Sequence, residues 1–234
     1  GQKTSQLHES VSSPLIAQGS DTRSCSFKSI TPPYTKDHAA MATPATTKTT
    51  PTARLKRAVV AAKPDVVIHQ LTDLPDVSDP AQMAVAREKN ARLRVEGTRN
   101  LMDAAQAAGV RRVVAQSIAF IYAPGQGPRL ETDPLDTSEA QRASIDGVKA
   151  LEQAVLNRPG IDGIVLRYGR LYGPGTWFDK PGSAGSLTTG AAAQAALFAL
   201  TKGAPGVYNI AEDDGAFSVE KARRELGFDP AFRI

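Results

Sequence analysis

Cysteine is almost absent. Cys25 is the single one in 234 residues, so no intrachain disulfide can form, and the chain is expected to rely on its apolar core in a reducing, cytoplasmic setting. Histidine is nearly as scarce: His8, His38 and His69 lie far apart, and with one cysteine they suggest no metal site. No run of about 18 consecutive apolar residues occurs, which excludes a hydropathic spanning helix and argues against a membrane partner. What remains is an ordinary globular balance, 41% hydrophobic and 22% charged, enough for one large domain or two small ones.

The formal charge of +4 is unevenly placed. Residues 1–57 hold eight bases against three acids, and the remainder holds 20 bases against 21 acids. The basic excess therefore belongs entirely to the opening. A nucleic-acid surface would need lysine and arginine clustered on a folded face, so no nucleic-acid partner is expected. Residues 1–51 are about one-third serine and threonine, without helical or strand periodicity, and read as a disordered or atypical segment. Their Ser-rich, acid-poor composition is also that of a transit peptide, while residues 26–30 have the makings of a short strand.

From Thr52 to the end, short apolar runs alternate with helical patterns. Helices are expected over 52–63, 81–108, 143–156, 191–200 and 218–226, the last capped by Ser218. Strands are expected over 65–69, 112–117, 163–167 and 206–210. Asp79-Pro80 is a helix opening, with Asp79 as N-cap, and Gly109 is a stop. The alternation predicts an α/β fold, a parallel sheet with its crossover helices. Ligands of such sheets bind beyond the carboxyl ends of the strands, which singles out Gln70–Thr72, Ser117–Tyr122 and Tyr168–Gly175.

Four stretches in those places carry a resemblance: Pro64–His69, Glu96–Val114, Leu166–Gly175 with its Tyr-Gly-Pro-Gly turn, and Lys221–Pro230. From about Ala53 onward the chain resembles the extended short-chain dehydrogenase/reductase superfamily, more narrowly its NAD-dependent epimerase/dehydratase group. The resemblance implies a Rossmann-like doubly wound sheet over residues 52–234, NAD or NADP as cofactor, and a small-molecule substrate such as a nucleotide sugar or related carbonyl compound. A homodimer is compatible with it.

Three departures qualify that picture. The family opens with a strand leading into a Gly-x-x-Gly-x-x-Gly turn for the cofactor pyrophosphate, but residues 1–57 contain only Gly1 and Gly19. The N-terminal half of the sheet thus reads as incomplete. The family also pairs a tyrosine with a lysine four residues on, because the ammonium lowers the phenol pKa for proton exchange. Lys149 matches the lysine, whereas Ile145 stands for the tyrosine; if Tyr122 is the tyrosine of the family's loop motif, the Ser/Thr partner falls on Ile118, with Ser117 one place off. Finally, Pro181–Gly190 runs directly toward a helix, so the substrate lobe reads as abbreviated.

By this resemblance Lys149, Ser117 and Tyr122 are the catalytic candidates, with Tyr122 a substitute proton donor. Lys149, Gln70, Gly169 and Arg170 are candidates for holding the cofactor, and Tyr172 and Arg94 for holding substrate; Arg94 replaces a usual asparagine. His69 reads as a packed histidine, and Glu212-Asp213-Asp214 as a solvated loop. The expected function is that of an NAD(P)-dependent epimerase/dehydratase-like protein. A non-catalytic relative, or a product unable to bind cofactor, is the alternative.

Overall fold

Runs of β-branched residues between helix stops become the inner strands. The computed structural model describes residues 15–18, 26–29, 50–74 and 79–233, with 15–18, 26–29 and Pro80 as backbone only. Strands β3 (Val66–His69), β4 (Arg112–Ile118), β5 (Asp162–Tyr168) and β8 (Gly206–Ile210) pair in parallel. Strands β1 (Leu15–Gln18) and β2 (Ser26–Ser29) extend the sheet to the order β2-β1-β3-β4-β5-β8, β1 lying antiparallel to both of its neighbours. This is the expected α/β, Rossmann-like architecture. The strand readable in 26–30 occurs as β2.

Both faces carry helices because parallel neighbours require crossovers. Helices α1 (Pro51–Ala62), α3 (Thr98–Ala107) and α4 (Arg142–Leu156) bury Val59, Leu101, Met102, Ala105, Leu151 and Val155 against Val67, Val113 and Val165 on one face. Helices α5 (Thr189–Phe198) and α6 (Glu220–Leu226) cover the other, over Val114, Ile164, Leu166 and Tyr208. Asp79 caps α2 (Pro80–Arg92) as expected, its Oδ1 accepting from the Ala81 amide at 2.8 Å.

Three expectations change. The helix predicted over 81–108 is interrupted by a π-helical turn, Leu93–Gly97, between α2 and α3. Ser218 does not cap α6: Val219 holds that position, and the Ser218 amide goes instead to the Arg129 carbonyl at 2.9 Å. Between β5 and α5, a small parallel pair, β6 (Arg170–Tyr172) with β7 (Ser186–Thr188), fills what reads in sequence as loop.

Candidate functional site

Helix α4 packs on β4 and β5, and the chemistry-bearing side chains near the carboxyl ends of those strands divide into two groups. The first is a buried polar network. Glu152 on α4 accepts from Ser117 Oγ at 2.9 Å and Arg167 Nε at 2.8 Å through Oε1, and from Arg167 Nη2 at 2.7 Å through Oε2. Arg167 Nη1 also donates to Tyr122 Oη at 2.7 Å, and Tyr122 in turn donates to Asn209 Oδ1 at 2.6 Å. The Asn209 amide closes the run by donating to Glu131 Oε1 at 3.0 Å.

Such an arrangement follows from burial. Arg167 and Glu152 are 5% and 7% exposed, so each charge needs the other and every remaining donor needs an acceptor. The fork geometry of the guanidinium meets the carboxylate with two parallel bonds. Burial also raises the Tyr122 phenol pKa, against the lowering effect of the Arg167 cation. Arg167 is held well above its ordinary value by Glu152 and Tyr122, which outweigh its burial.

The second group surrounds Lys149, which is exposed and makes no hydrogen bond or ion pair among the described residues. It lines a cleft of about 190 Å³ with Asp136, Thr137, Arg142, Ile145 and Asp146. Behind the cleft wall, Ile145 packs with Ile121 and Val148, and Ile118 and Leu135 pack against that cluster. Ile145 and Ile118 are thus partners in one apolar plug. Ser117 and Tyr122 belong to the network and are not among the residues lining the Lys149 cleft.

The other candidates have definite places. Gln70 Nε2 donates to Tyr168 Oη at 3.1 Å. Gly169 is a packing position: its amide donates to the Ile210 carbonyl, and a Cβ there would lie 2.2 Å from the Gly185 carbonyl oxygen. The Arg170 guanidinium lies 4.4 Å from the Phe120 ring centroid. Tyr172 donates to Glu212 Oε1 at 2.6 Å, where Arg233 also binds. The acidic loop is therefore more than a solvated turn, since Asp213 pairs with Arg223 and Asp214 accepts from the Gly185 amide. His69 is the packed histidine expected, with Nδ1 accepting from the Leu71 amide and Nε2 at 2.9 Å from Thr98 Oγ1. Arg94 lies half-buried on the π-helical turn.

Sequence reasoning overlooked Glu152, Arg167 and Asn209. The signal was present for the ion pair: one acid on the apolar stripe of α4, four residues from Val148, and one base ending an otherwise apolar strand. Asn90 was also overlooked. It latches the 71–74 loop by accepting from Thr72 Oγ1 and the Asp73 amide and donating to the Asp73 carbonyl.

For a nicotinamide dinucleotide the two ends of this edge differ. The unpaired Lys149 ammonium suits the ribose hydroxyls of the nicotinamide end. Beside β3, where a pyrophosphate needs a strand running into a helix N-terminus, β1 runs the opposite way and Leu15 stands opposite Ile68. The described residues build no phosphate cradle there. They fit the nicotinamide ribose and do not fit the pyrophosphate.

A parallel sheet with helices on both faces and polar side chains beyond its carboxyl edge is a Rossmann-like α/β architecture. Residues 15–202 match the NAD dependent epimerase/dehydratase family, and the chain belongs to that family. A Streptomyces sp. protein described as 3-diazoavenalumate denitrifying reductase is 42% identical over 172 residues, 72% of this chain and 54% of the relative. The chain thus spans about half the length of that curated relative. UDP-glucose 4-epimerase from Thermotoga maritima shares the fold at a TM-score of 0.63 and 17% identity, over 78% of this chain and 77% of that one. The dTDP-glucose 4,6-dehydratase DesIV from Streptomyces venezuelae does so at 0.63 and 17%, over 78% and 73%. Among the described residues no helix is long and apolar enough to cross a membrane.

Proposed function

We propose that the chain is a reductase-type member of its family, which directs hydride to a small electrophile without supplying a proton. The observation that carries this reading is that Ile145 and Ile118, the residues that the resemblance sets at the family's proton-relay positions, pack in one apolar cluster beside Lys149. Epimerisation or dehydration of a sugar begins by taking a proton from a hydroxyl as hydride departs. Isoleucine can neither take that proton nor return it.

Reduction of a diazonium-type carbon needs no such relay. Hydride forms the new C–H bond, the C–N bond breaks, and its electron pair leaves with dinitrogen, so no oxyanion arises that must be protonated. The Streptomyces relative is by name a denitrifying reductase of a diazo compound, which supports this choice of acceptor. A bound reduced nicotinamide, NADH or NADPH, would supply the hydride and be left as NAD or NADP. Lys149 holds the ribose, and the plug of Ile145, Ile118, Ile121 and Val148 keeps water from that side of the reacting carbon.

The test has two stages. Nicotinamide fluorescence during titration with NADH and NADPH reads binding; incubation with 4-deuterated cofactor and either an arenediazonium salt or UDP-glucose reads chemistry. Deuterium in the arene above the protein-free background, without epimerised sugar, is the expected result. Sugar epimerisation overturns it. A second reading, a binding relative without turnover, is favoured by the antiparallel placement of β1 beside β3. Failure to bind either cofactor at millimolar concentration selects it.

A further inference from the structure

Arg94 differs from the exposed Lys149 and Arg170 in being half-buried while forming no ion pair among the described residues. It sits on the π-helical turn one helical turn before Thr98, and Thr98 Oγ1 touches His69 at the carboxyl end of β3. No carboxylate lies within 4.0 Å of the Arg94 guanidinium among the described residues, although the side chain is half-buried. The carboxylate whose charge acts on it, Glu152, has both oxygens occupied by Ser117 and Arg167.

Charge accounting around Arg94 is therefore unbalanced. Arg167 and Glu152 neutralise each other, and among the described residues Arg94 remains without an ion-pair partner. Its charge contributes to holding His69 neutral, after the larger effect of burial, so the neighbouring ring adds no second cation. A half-buried guanidinium without a partner leaves five directional donors for an incoming oxyanion.

We infer that Arg94 is an anchor for an oxyanion, a carboxylate or phosphate carried by the small molecule bound at this edge. Assigning that anion to a substrate rests on the reductase reading above; the site itself does not, and it is tested without cofactor or turnover. The bound charge completes the pairing that Glu152 cannot provide.

The experiment uses the full chain labelled with 15N. At neutral pH the Arg94 Nε–Hε resonance, identified by its loss in Arg94→Gln, is followed during separate titrations with sodium acetate and orthophosphate at constant ionic strength in chloride. A saturable displacement at millimolar anion is expected, larger for the anion class that the site suits. In parallel the His69 imidazole is titrated, and its midpoint should rise by about half a pH unit when the anion masks the Arg94 charge. Arg94→Lys should retain part of this dependence. A linear, non-saturating drift of the Arg94 signal with an unmoved His69 midpoint overturns the proposal. So does an equal response of His69 to anion in Arg94→Gln. Should that variant fail to fold, Arg94→Lys identifies the resonance by its loss, and the saturation measured in the natural sequence decides.

Discussion

His69 is 2% exposed and is bonded through both ring nitrogens. The Leu71 amide needs an acceptor at Nδ1, so the ring is the neutral Nε2–H tautomer donating to Thr98. Burial, with the Arg94 charge second, holds its pKa at about 4 against 6.5 in the open. Between those values the unfolded chain binds the extra proton and the folded chain does not. The stability carried by the neutral ring is therefore complete above about pH 6.5 and falls away as the pH drops toward 4, by about 3 kcal/mol in all. Urea unfolding from pH 4.5 to 7 should show this slope in the natural sequence and a flatter one in His69→Gln; parallel slopes would assign the acid sensitivity elsewhere.

The Arg167–Glu152 pair makes the second prediction at this scale. Arg167→Leu strands a buried carboxylate on one remaining donor, Ser117, and should cost about 3–5 kcal/mol. Joining it with Glu152→Leu removes the stranded charge and should recover most of the loss, as read by denaturant midpoints. This chemistry was only half legible in the sequence. Ser117 and Tyr122 were marked by their place after a strand, but which acid and base they would meet depends on α4 crossing β4 and β5, a contact between residues 35 and 45 positions apart.

Element boundaries were readable wherever a residue type forces the backbone. Asp79-Pro80 opens α2, and Gly109, at φ 74°, follows the end of α3. The π-helical turn was invisible, because Leu93, Gly97 and Leu101 keep an ordinary helical spacing while the hydrogen bonds slip by one residue. Its place in the fold is explained by packing: α2 runs into α4 at Gly147, where a Cβ would stand 3.0 Å from the Ala91 Cα. Close approach of the two helices needs glycine there, and the turn then swings α3 onto the sheet. Gly147→Val should therefore destabilise by about 1–3 kcal/mol through overpacking. Gly147→Ala should lie nearer neutrality, since alanine gains about 1 kcal/mol of helix propensity. Equal thermal midpoints for the valine and natural chains would show that the contact relaxes without cost.

At the scale of the whole molecule the alternation of strand and helix from residue 52 onward was enough to indicate the parallel core, whereas the composition of residues 1–51 gave no sign that β1 and β2 would extend the same sheet. It could not give the direction of β1. Strand direction is decided by connection length and by which edge remains open, and a four-residue segment carries neither. The consequence is large, because β1 covers the β3 edge with three residue pairs, Leu15–Ile68, Ile16–Val67 and Ala17–Val66. Without them β3 presents an unpaired row of backbone donors and acceptors flanked by the apolar side chains of Val67 and Ile68, a template for pairing with another copy. A chain lacking residues 1–30 should keep its parallel core, seen as a similar helical circular dichroism signal, yet elute as concentration-dependent oligomers in light-scattering chromatography. If it remains monodisperse at every concentration, β1 is not what protects that edge, and the open side of β3 is free to receive a strand of the opposite direction, the one a pyrophosphate cradle requires.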